Sequence, residues 1–345
     1  MIDKDILAEM FRMSTKQHFE KSPLTSHLAN ATADDDEVLE VVRCANTSAF
    51  APHMLMATVH SLVMGDPGCD LARHFPSVSG RERPNEDPFP AFKAFVLEHK
   101  DRIMDIISKG RVNKTIFRRS ACFRAALVEA ARLNGWDKVH LVDIGCSAGL
   151  NLLNDQWRIR YGDLGEVGPE DSPVKFNIEV REGIPPMGDV PEILSRTGID
   201  FDLFDLNDPA QENWLLGFLF PDDIGMVEST RGALRHLRMV PPNFVQGSVS
   251  EKLPGVLAGL PGDDPVVVIH SMLFYRLDPR EKVVINRAIV ECAKNRPTVR
   301  IGVEIIGREA NIILADPMAE DQLYLGSAEH NAEWMSWSGS SEGTD

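Results

Sequence analysis

A short run of glycine, serine and aspartate in the middle of the chain has the residue types that hold ligands in α/β proteins. Residues 139–155 read VHLVDIGCSAGLNLLND, an apolar run followed by Gly145-Cys146-Ser147-Ala148-Gly149 and a leucine-rich segment. The apolar run predicts a buried strand, and the leucine spacing predicts a helix. A strand, a glycine turn and a helix make half of a βαβ unit, in which the turn and the helix N-terminus bind anionic groups. The sequence therefore predicts a site for the carboxylate or phosphate of a small molecule at this turn.

Two enzyme families share the residue pattern of this turn. Asp143-x-Gly145-x-Ser147-x-Gly149 resembles the first motif of class I S-adenosylmethionine-dependent methyltransferases, in which the glycine turn wraps the methionine half of the cofactor. The segment Gly145–Gly149 also has the G-x-S-x-G spacing of the α/β-hydrolase nucleophile elbow, with Ser147 as the nucleophile. A third interpretation is a turn that only connects a strand to a helix. The G-x-G-x-x-G spacing of a dinucleotide site is absent.

Chain order favours the methyltransferase interpretation. In the hydrolase fold the elbow follows a strand in the middle of the sheet, after earlier strands and an oxyanion loop of the His-Gly-Gly type. No segment before Val139 has a strand pattern, and no such loop precedes it. The turn therefore follows the predicted first strand, where methyltransferase-like Rossmann folds carry it.

The methyltransferase resemblance implies a set of cofactor-binding residues. Those in the turn are Asp143, Gly145, Cys146, Ser147 and Gly149. A carboxylate at the end of the second strand would accept hydrogen bonds from the ribose hydroxyls of S-adenosylmethionine, and Asp200 and Asp205 are the candidates. In the alternative interpretation, the run Asp205-Leu206-Asn207-Asp208 is a helix cap before Pro209. Gly247 and Ser248, at the end of the third strand, would contact the adenine.

A histidine and a tyrosine follow the most strongly apolar strand pattern, Pro265–Ile269. Ligands of open α/β sheets bind at the carboxyl ends of the strands, so His270 and Tyr275 are the predicted catalytic residues. A neutral imidazole would orient or deprotonate the methyl acceptor. In the hydrolase alternative, His270 or His330 would be the base for Ser147.

The charge of the chain bears on its partners. Among 345 residues, 52 are acidic and 36 are Lys or Arg, which gives a formal net charge of −16 at pH 7. Such an acidic surface repels phosphate backbones, so we expect no nucleic-acid partner and a small-molecule substrate instead. The histidines are not paired at i, i+4 and no carboxylate cluster has ligand spacing, so no metal site is predicted.

Apolar runs and cysteines bear on the compartment. No apolar run reaches 18 residues, and the N-terminal MIDKDILAEM lacks the apolar stretch of a signal peptide. We therefore expect a soluble cytoplasmic protein with no membrane partner. The five cysteines are scattered and show no C-x-x-C pair, which predicts reduced thiols rather than disulfides.

The hydropathy pattern divides the chain into parts. Residues 1–134 have helical periodicity, which predicts an all-helical N-terminal domain. Residues 135–336 alternate strand-like and helical runs, which predicts an α/β domain. With the methyltransferase resemblance, this becomes a Rossmann-like fold with a mostly parallel seven-stranded sheet and helices on both faces. The Ser- and Gly-rich tail 337–345 is predicted to be disordered.

Segments along nearly the whole chain also resemble an uncharacterised bacterial domain-of-unknown-function family described as methyltransferase-like. The matching segments are Ser22-Pro23-Leu24, Leu55–Met64, Arg119-Ser120-Ala121, Gly145–Leu152, Tyr161-Gly162-Asp163, Gly198-Ile199-Asp200 with Asp205-Leu206, Trp214-Leu215 and Val266–Ser271. The family usually has a Gln-Thr-Asn-Glu-like run ahead of Arg119, where this chain has Asn113-Lys114-Thr115-Ile116. What this resemblance implies is the fold rather than a reaction.

Together these patterns predict an S-adenosylmethionine-dependent methyltransferase that acts on a small molecule. Two alternatives stay open at this point. One is a ligand-binding or regulatory protein that has the fold without catalysis, because the strand end His270-Ser271-Met272-Leu273 lacks the Asn/Asp-Pro-Pro-Tyr run of amine methyltransferases. The other is the serine hydrolase that uses Ser147. The sequence pattern does not specify the methyl acceptor or the oligomeric state.

Overall fold

The structure is a computed structural model that describes residues 1–46, 51–110, 114–307, 309–319 and 321–339. The chain forms two compact units. The first unit comprises Met1–Lys114 and Phe204–Arg231, and the second comprises Thr115–Leu203 and Gly232–Asp345. Each unit thus takes two separate stretches of the chain. The predicted boundary between residues 134 and 135 stays a prediction.

The described part of the first unit is built from helices. They are α1 (Lys4–Gln17), α2 (Pro23–Ala33), α3 (Asp36–Val42), α4 (Ala51–Gly65), α5 (Pro76–Ser79), α6 (Phe89–Glu98), α7 (Lys100–Lys109), α9 (Pro209–Gly217) and the start of α10 (Ile224–Met239), with a 3₁₀ helix at Asp70–His74. Side chains cap several helix starts, since Asp3, Ser22 and Asp35 accept backbone N–H groups of the first turns. These caps satisfy donors that have no partner within the helix.

A single apolar core holds these helices together. Its largest enclosed side chains include Phe11, Phe75 and Phe92, together with Met54 and Leu55 of α4. Leu7 and Phe11 lie one turn apart on α1, which is the spacing that turns one helix face inward. The apolar residues whose spacing predicted helices in this part of the chain are therefore the ones that are buried in the core.

The second unit contains all the described strands. They are β1 (Lys138–Ile144), β2 (Arg158–Tyr161), β3 (Glu166–Val167), β4 (Lys175–Glu182), β5 (Glu192–Asp200), β6 (Asn243–Gln246), β7 (Val266–Ser271), β8 (Thr298–Ile306), β9 (Glu309–Ala315), β10 (Gln322–Ala328) and β11 (Trp334–Trp337). Its helices are α8 (Ser120–Asn134), α11 (Val249–Ala258), α12 (Pro279–Ala293) and the end of α10, with 3₁₀ helices at Phe117–Arg119, Leu150–Leu153 and Phe274–Arg276. Gly135, with φ 68°, ends α8 in the left-handed conformation.

The strands form an 11-stranded sheet in the order β3-β2-β4-β11-β10-β9-β8-β7-β1-β5-β6. The run β6-β5-β1-β7-β8 is parallel throughout, whereas β9, β10 and β11 follow β8 as an antiparallel meander. After β1 the chain first forms β2, β3 and β4 at the far end of the sheet, next adds β5 and β6 on one side of β1, and then adds β7 and β8 on its other side. The connections therefore reverse direction between β1 and β7, and such a switch point is where ligands of open α/β sheets bind.

Burial explains why β1 and β7 are central. Every residue of β1 after Lys138 is buried, and so are the first five residues of β7. On one face, Val142 and Ile144 pack with Val266 and Val268 against α11 and α12. A strand that is covered on both faces has a continuous apolar run rather than alternation, and both strands carry this pattern in the sequence.

The structure confirms a mixed α/β protein with a large, mostly parallel sheet, and it corrects two details. The sheet has 11 strands instead of the predicted seven. The helix expected directly after the glycine turn is only a four-residue 3₁₀ helix, Leu150–Leu153. The side chain of Asn154 donates to the carbonyl oxygen of Asn151, and Arg196 donates to that of Leu152. These carbonyls would accept the next helical N–H groups, so the two side chains end the helix.

Candidate functional site at the carboxyl ends of the central strands

Two of the residues predicted to bind a cofactor, Asp143 and Asp200, lie on one face of the sheet. Because side chains alternate along a strand, Asp143 points away from the face that carries Val142 and Ile144. Asp143 pairs in register with Gly198 of β5, and Gly198 pairs with Phe244 of β6. Asp200, two residues beyond Gly198, therefore shares the Asp143 face. Two carboxyl groups and an aromatic ring thus lie on the same face at the ends of three adjacent strands.

Asp143 is the most deeply buried acid of this group, with 2% of its surface exposed. Its Oδ2 atom is enclosed and has no hydrogen-bond partner among the described residues. Burial, and next the negative charge of Asp200, raise the pKa of Asp143 well above its ordinary value. A protonated carboxyl group at this position can donate a hydrogen bond as well as accept one.

The glycine turn bends the chain back at the end of β1. Gly145 and Gly149 have φ angles of 72° and 79°, in the left-handed region that favours glycine. Their missing side chains also make room for neighbours. A Cβ atom on Gly145 would lie 2.9 Å from Leu273 Cδ1, and one on Gly149 would lie 2.7 Å from the Phe244 ring. Close packing by two side chains therefore accounts for both glycines, and their role in cofactor binding stays a prediction.

Asp200 joins the ends of β1, β5 and β6. Its Oδ2 atom accepts the Ser147 N–H at 2.8 Å, and its Oδ1 atom accepts the Asp202 N–H at 3.0 Å. The backbone N–H of Gly247 donates to the Asp200 carbonyl at 2.9 Å. Asp200 is only half-buried, and each carboxylate oxygen can accept a second hydrogen bond. It thus remains able to accept hydroxyl groups from a ligand.

The remaining predicted cofactor residues take different positions. The Cys146 thiol packs against Gly198, and burial raises its pKa. Ser248 precedes α11, and its hydroxyl lies 2.8 Å from that of Ser250. Asp205 belongs to the first unit, where its Oδ1 atom accepts the Asn207 N–H at 2.9 Å. Asp205 therefore makes a local turn contact, whereas the helix that starts at Pro209 is capped by Asp208, whose Oδ1 atom accepts the Ala210 N–H at 2.9 Å.

A five-residue segment before α8, Thr115–Arg119, links three loops at this edge of the sheet; we call it the strap. The Thr115 hydroxyl lies 2.6 Å from that of Ser147 in the glycine turn. The Arg119 guanidinium donates to the Ser271 hydroxyl at 3.1 Å, and to the His330 carbonyl at 2.9 Å and 2.6 Å. Burial lowers the pKa of Arg119 to about 10, which leaves the group cationic at neutral pH.

The strap contacts the loops in which the backbone is strained. The described non-glycine residues with positive φ are Ser147, Met272 and Ala332, at 51°, 52° and 55°. Thr115 binds the first of them directly, whereas Arg119 binds the residue before Met272 and a carbonyl two residues before Ala332. Left-handed conformations at non-glycine residues persist only where the surroundings hold them, and they concentrate at functional sites.

The predicted catalytic histidine lies on the opposite face of the sheet. His270 follows Val268 of the α11–α12 face by two residues, and it is 3% exposed. Its Nδ1 atom lies 2.8 Å from Glu304 Oε1, which also accepts the N–H groups of Leu273 and Phe274. Its Nε2 atom is buried without a partner among the described residues. His270 therefore stabilises the loop after β7 through its contact with Glu304. Tyr275, the other predicted catalytic residue, lies in that loop and is 56% exposed.

The pKa values of His270 and Glu304 are both lowered, which favours a neutral imidazole beside a carboxylate. Burial lowers the pKa of His270, and Glu304 only partly offsets this effect. For Glu304, burial raises the pKa, but the hydrogen bonds from His270, Phe274 and Leu273 outweigh it, so the pKa lies below its ordinary value. A neutral imidazole that donates from Nδ1 to a carboxylate satisfies both directions.

Other predictions can be compared with the geometry. The Ser147 hydroxyl pairs with Thr115, and no imidazole of the described residues binds it. Within the described ranges, no group of three His, Cys, Asp or Glu residues is arranged to hold a metal ion. The described helices include none that is both long and apolar enough to cross a bilayer. Trp337, assigned to the tail, is the buried last residue of β11, and residues 340–345 lie outside the described part.

Sequence reasoning did not assign Phe244 or Thr115 to this site, and it did not predict the contacts of Arg119. Phe244 lies in a four-residue strand at the sheet edge, and nothing in its local pattern marks it. Thr115 belongs to the run Asn113-Lys114-Thr115-Ile116, which differs from the run expected from the family resemblance, and Asn113 lies outside the described residues. From its position before a helix, Arg119 was interpreted as a partner for a carboxylate or as half of a surface ion pair, whereas in the structure it binds a hydroxyl and a carbonyl. Their contacts are 32 to 211 residues away in sequence, so local spacing carries no signal for them.

The fold and the site define a class: an α/β protein whose mostly parallel sheet presents two carboxyl groups at the carboxyl ends of its central strands. The chain belongs to the family described as "uncharacterized protein conserved in bacteria (DUF2332)", which matches residues 8–337. A comparison with curated proteins finds no match.

Proposed function

We propose that this protein binds S-adenosylmethionine at the Asp143–Asp200 edge and transfers its methyl group to a small molecule. The observation that carries the proposal is the parallel strand order β6-β5-β1-β7-β8, with two carboxyl groups at the adjacent ends of β1 and β5. Rossmann-like methyltransferases place their first motif at the end of the first, central strand, and here Asp143–Gly149 begins with the last two residues of such a strand. The proposal therefore assigns the Rossmann-like fold to the five parallel strands and treats the other six as additions.

The residues at this edge suit the polar groups of such a cofactor. Asp200 would accept the ribose hydroxyl hydrogens, because the residue is half-buried and each carboxylate oxygen retains a lone pair. Asp143 has an enclosed oxygen without a described partner, which a polar ligand atom would satisfy. The Phe244 ring would provide an apolar wall beside Gly149. When bound, S-adenosylmethionine supplies a methyl group on a sulfonium, and the protein needs chiefly to orient the acceptor and exclude water.

Isothermal titration calorimetry with S-adenosylmethionine and S-adenosylhomocysteine tests this proposal. Asp200→Asn should weaken both by about tenfold, the usual effect of losing a hydrogen bond to a charged group. Glu192→Gln is the matched control, because it removes a carboxylate at the exposed amino end of the same strand. Absence of binding at millimolar ligand, or equal weakening by both variants, would remove the proposal.

The burial of His270 favours a second candidate, a non-catalytic binding protein with the same site. A general base must come within hydrogen-bond reach of the proton that it accepts. The His270 imidazole is enclosed, its ring centre lies 4.4 Å from that of the tilted Phe274 ring, and its Nδ1 atom is bound to Glu304, so only Tyr275 is exposed among the predicted catalytic residues. Cofactor binding without methyl transfer to any component of a metabolite extract, followed with labelled S-adenosylmethionine, would select this candidate.

A further inference from the structure

A second polar cleft lies toward the amino-terminal end of β8, away from the strand ends described above. Its volume is about 160 Å³, below the range of drug-sized ligand pockets. Its polar groups come from Asn286 of α12, Arg300 of β8, Asp316 after β9 and Gln322 of β10. Apolar atoms of Ile289 and Ala315 complete the walls. All of these residues belong to the second unit.

The Arg300 guanidinium is held in a fixed orientation in this cleft. Its Nη1 atom donates to Asn286 Oδ1 at 2.7 Å, and its Cζ atom lies 4.9 Å from the centre of the Phe274 ring. The residue is half-buried, and no carboxylate of the described residues forms an ion pair with it. Burial lowers the pKa of Arg300, since the charged form has lost part of its hydration. A planar, oriented guanidinium with donors to spare is suited to a carboxylate.

Asp316 places a negative charge in the same small cleft. Its Oδ1 atom accepts the Met318 N–H at 2.8 Å, while its Oδ2 atom has no hydrogen bond from a described residue. Asp316 and Arg300 line one cleft, yet they do not form an ion pair with each other. Opposite charges held apart across a small space are complementary to a molecule that carries both charges. A phosphate would gain from Arg300 but would be repelled by Asp316.

We propose that this cleft binds a small zwitterionic α-amino acid with a short apolar side chain. The carboxylate contacts Arg300, the ammonium group faces Asp316, and the side chain lies against Ile289 and Ala315. Asn286 and Gln322 supply amide groups that can hydrogen-bond either end. The site is separate from the proposed cofactor site and does not depend on it.

Calorimetry on the full chain with L-valine, at up to about 20 mM, tests the proposal, because a dissociation constant near 1 mM would then saturate. Isobutyrate, which lacks the ammonium group, and isobutylamine, which lacks the carboxylate, should each bind at least about tenfold more weakly. Inorganic phosphate is the competing anion. Absence of valine binding, equal binding of isobutyrate, or tighter binding of phosphate would overturn the proposal.

Variants test the assigned contacts. Arg300→Gln and Asp316→Asn should each weaken valine binding by about tenfold. Asp316 is exposed, so its variant tests the site even if loss of Arg300 disturbs folding. Arg287→Gln is the matched control, because it removes an exposed arginine from α12 outside the cleft. Unchanged affinity in Asp316→Asn, or equal loss in Arg287→Gln, would contradict the assignment.

Discussion

At the scale of single residues, the central edge of the sheet contains two buried acids whose pKa values are shifted in opposite directions. Asp143 is enclosed near another carboxylate, and both conditions disfavour its charge. Glu304 is also buried, but three hydrogen-bond donors stabilise its charge. The same carboxyl chemistry therefore has a raised pKa on one face and a lowered pKa on the other. Because the two pKa shifts are opposite, we expect substitutions of Asp143 and Glu304 to change the pH dependence of the free energy of unfolding in opposite directions.

The free energy of unfolding of Asp143→Asn, compared with that of wild type, should increase as pH rises. The native pKa of Asp143 lies above 3.8, so native wild-type protein must ionise a buried group, and its stability falls as pH rises through that pKa. The amide is nearly isosteric and does not titrate. Urea unfolding at several pH values above 4 measures the effect. The exposed Asp263→Asn should show no such trend. A constant difference between Asp143→Asn and wild type would contradict a raised pKa.

Glu304→Gln should destabilise the protein at neutral pH by about 1–3 kcal/mol, because an amide accepts the three hydrogen bonds more weakly than a carboxylate. The lowered pKa gives the opposite trend from Asp143. The stabilisation is complete above the unfolded pKa of 4.5 and disappears as pH falls through the native pKa. The difference from wild type, followed by denaturant unfolding, should therefore shrink in acid. A difference that grows in acid would refute this account.

At the scale of elements, apolar pattern predicted the strands that are buried on both faces and missed those defined by distant partners. The runs at 139–144 and 265–269 indicated β1 and β7 because all their neighbours are apolar. Helix α11 was missed, since Pro254 and Gly255 signal a break. It forms because Val249, Leu253 and Leu257 pack against α12. The short strand β2 pairs with both β3 and β4, and the sequences of β2 and β3 carry little periodicity.

At the site too, local sequence patterns predicted some features, whereas others depend on residues that are distant in the chain. The glycine turn, Asp143 and Asp200 could be identified from the sequence, because each lies at the end of an apolar run that predicts a strand. The face on which His270 lies depends on the register of β7 with β1 and β8, which no local pattern contains. The strap joins loops that are far apart in the chain. Sequence therefore predicted the edge of the sheet but not the arrangement of groups on its two faces.

Arg119→Lys should loosen two loops together. An ammonium group cannot reproduce the planar contacts to the Ser271 hydroxyl and the His330 carbonyl, so we expect a loss of about 1–3 kcal/mol. Hydrogen exchange should become faster in residues 272–276 and in residues 329–333, because Arg119 holds both segments. The turn at 145–149, which Thr115 contacts, should change less. Arg287→Lys on the exposed side of α12 serves as the control, and uniform acceleration in Arg119→Lys would argue against a local strap.

At the scale of the whole molecule, the net charge is a property that no single site reveals. Acidic residues outnumber Lys and Arg by 52 to 36, and the sequence pI is about 5.1. Like charges distributed over a compact protein repel one another and lower its stability. This repulsion acts over distances comparable with the Debye length, about 30 Å at 0.01 M salt and about 8 Å at 0.15 M.

Thermal unfolding at pH 7 should therefore shift to higher temperature when sodium chloride is raised from about 0.01 M to about 0.15 M, because screening weakens the repulsion of a net charge of −16. The same change near pH 5 provides the control. There the net charge is close to zero, and salt mainly screens favourable pairs such as Arg12–Asp34, which lie 2.6 Å apart at the surface. Salt should then leave the melting temperature unchanged or lower it. Equal stabilisation at both pH values would mean that the effect comes from ion binding or hydration rather than from net charge.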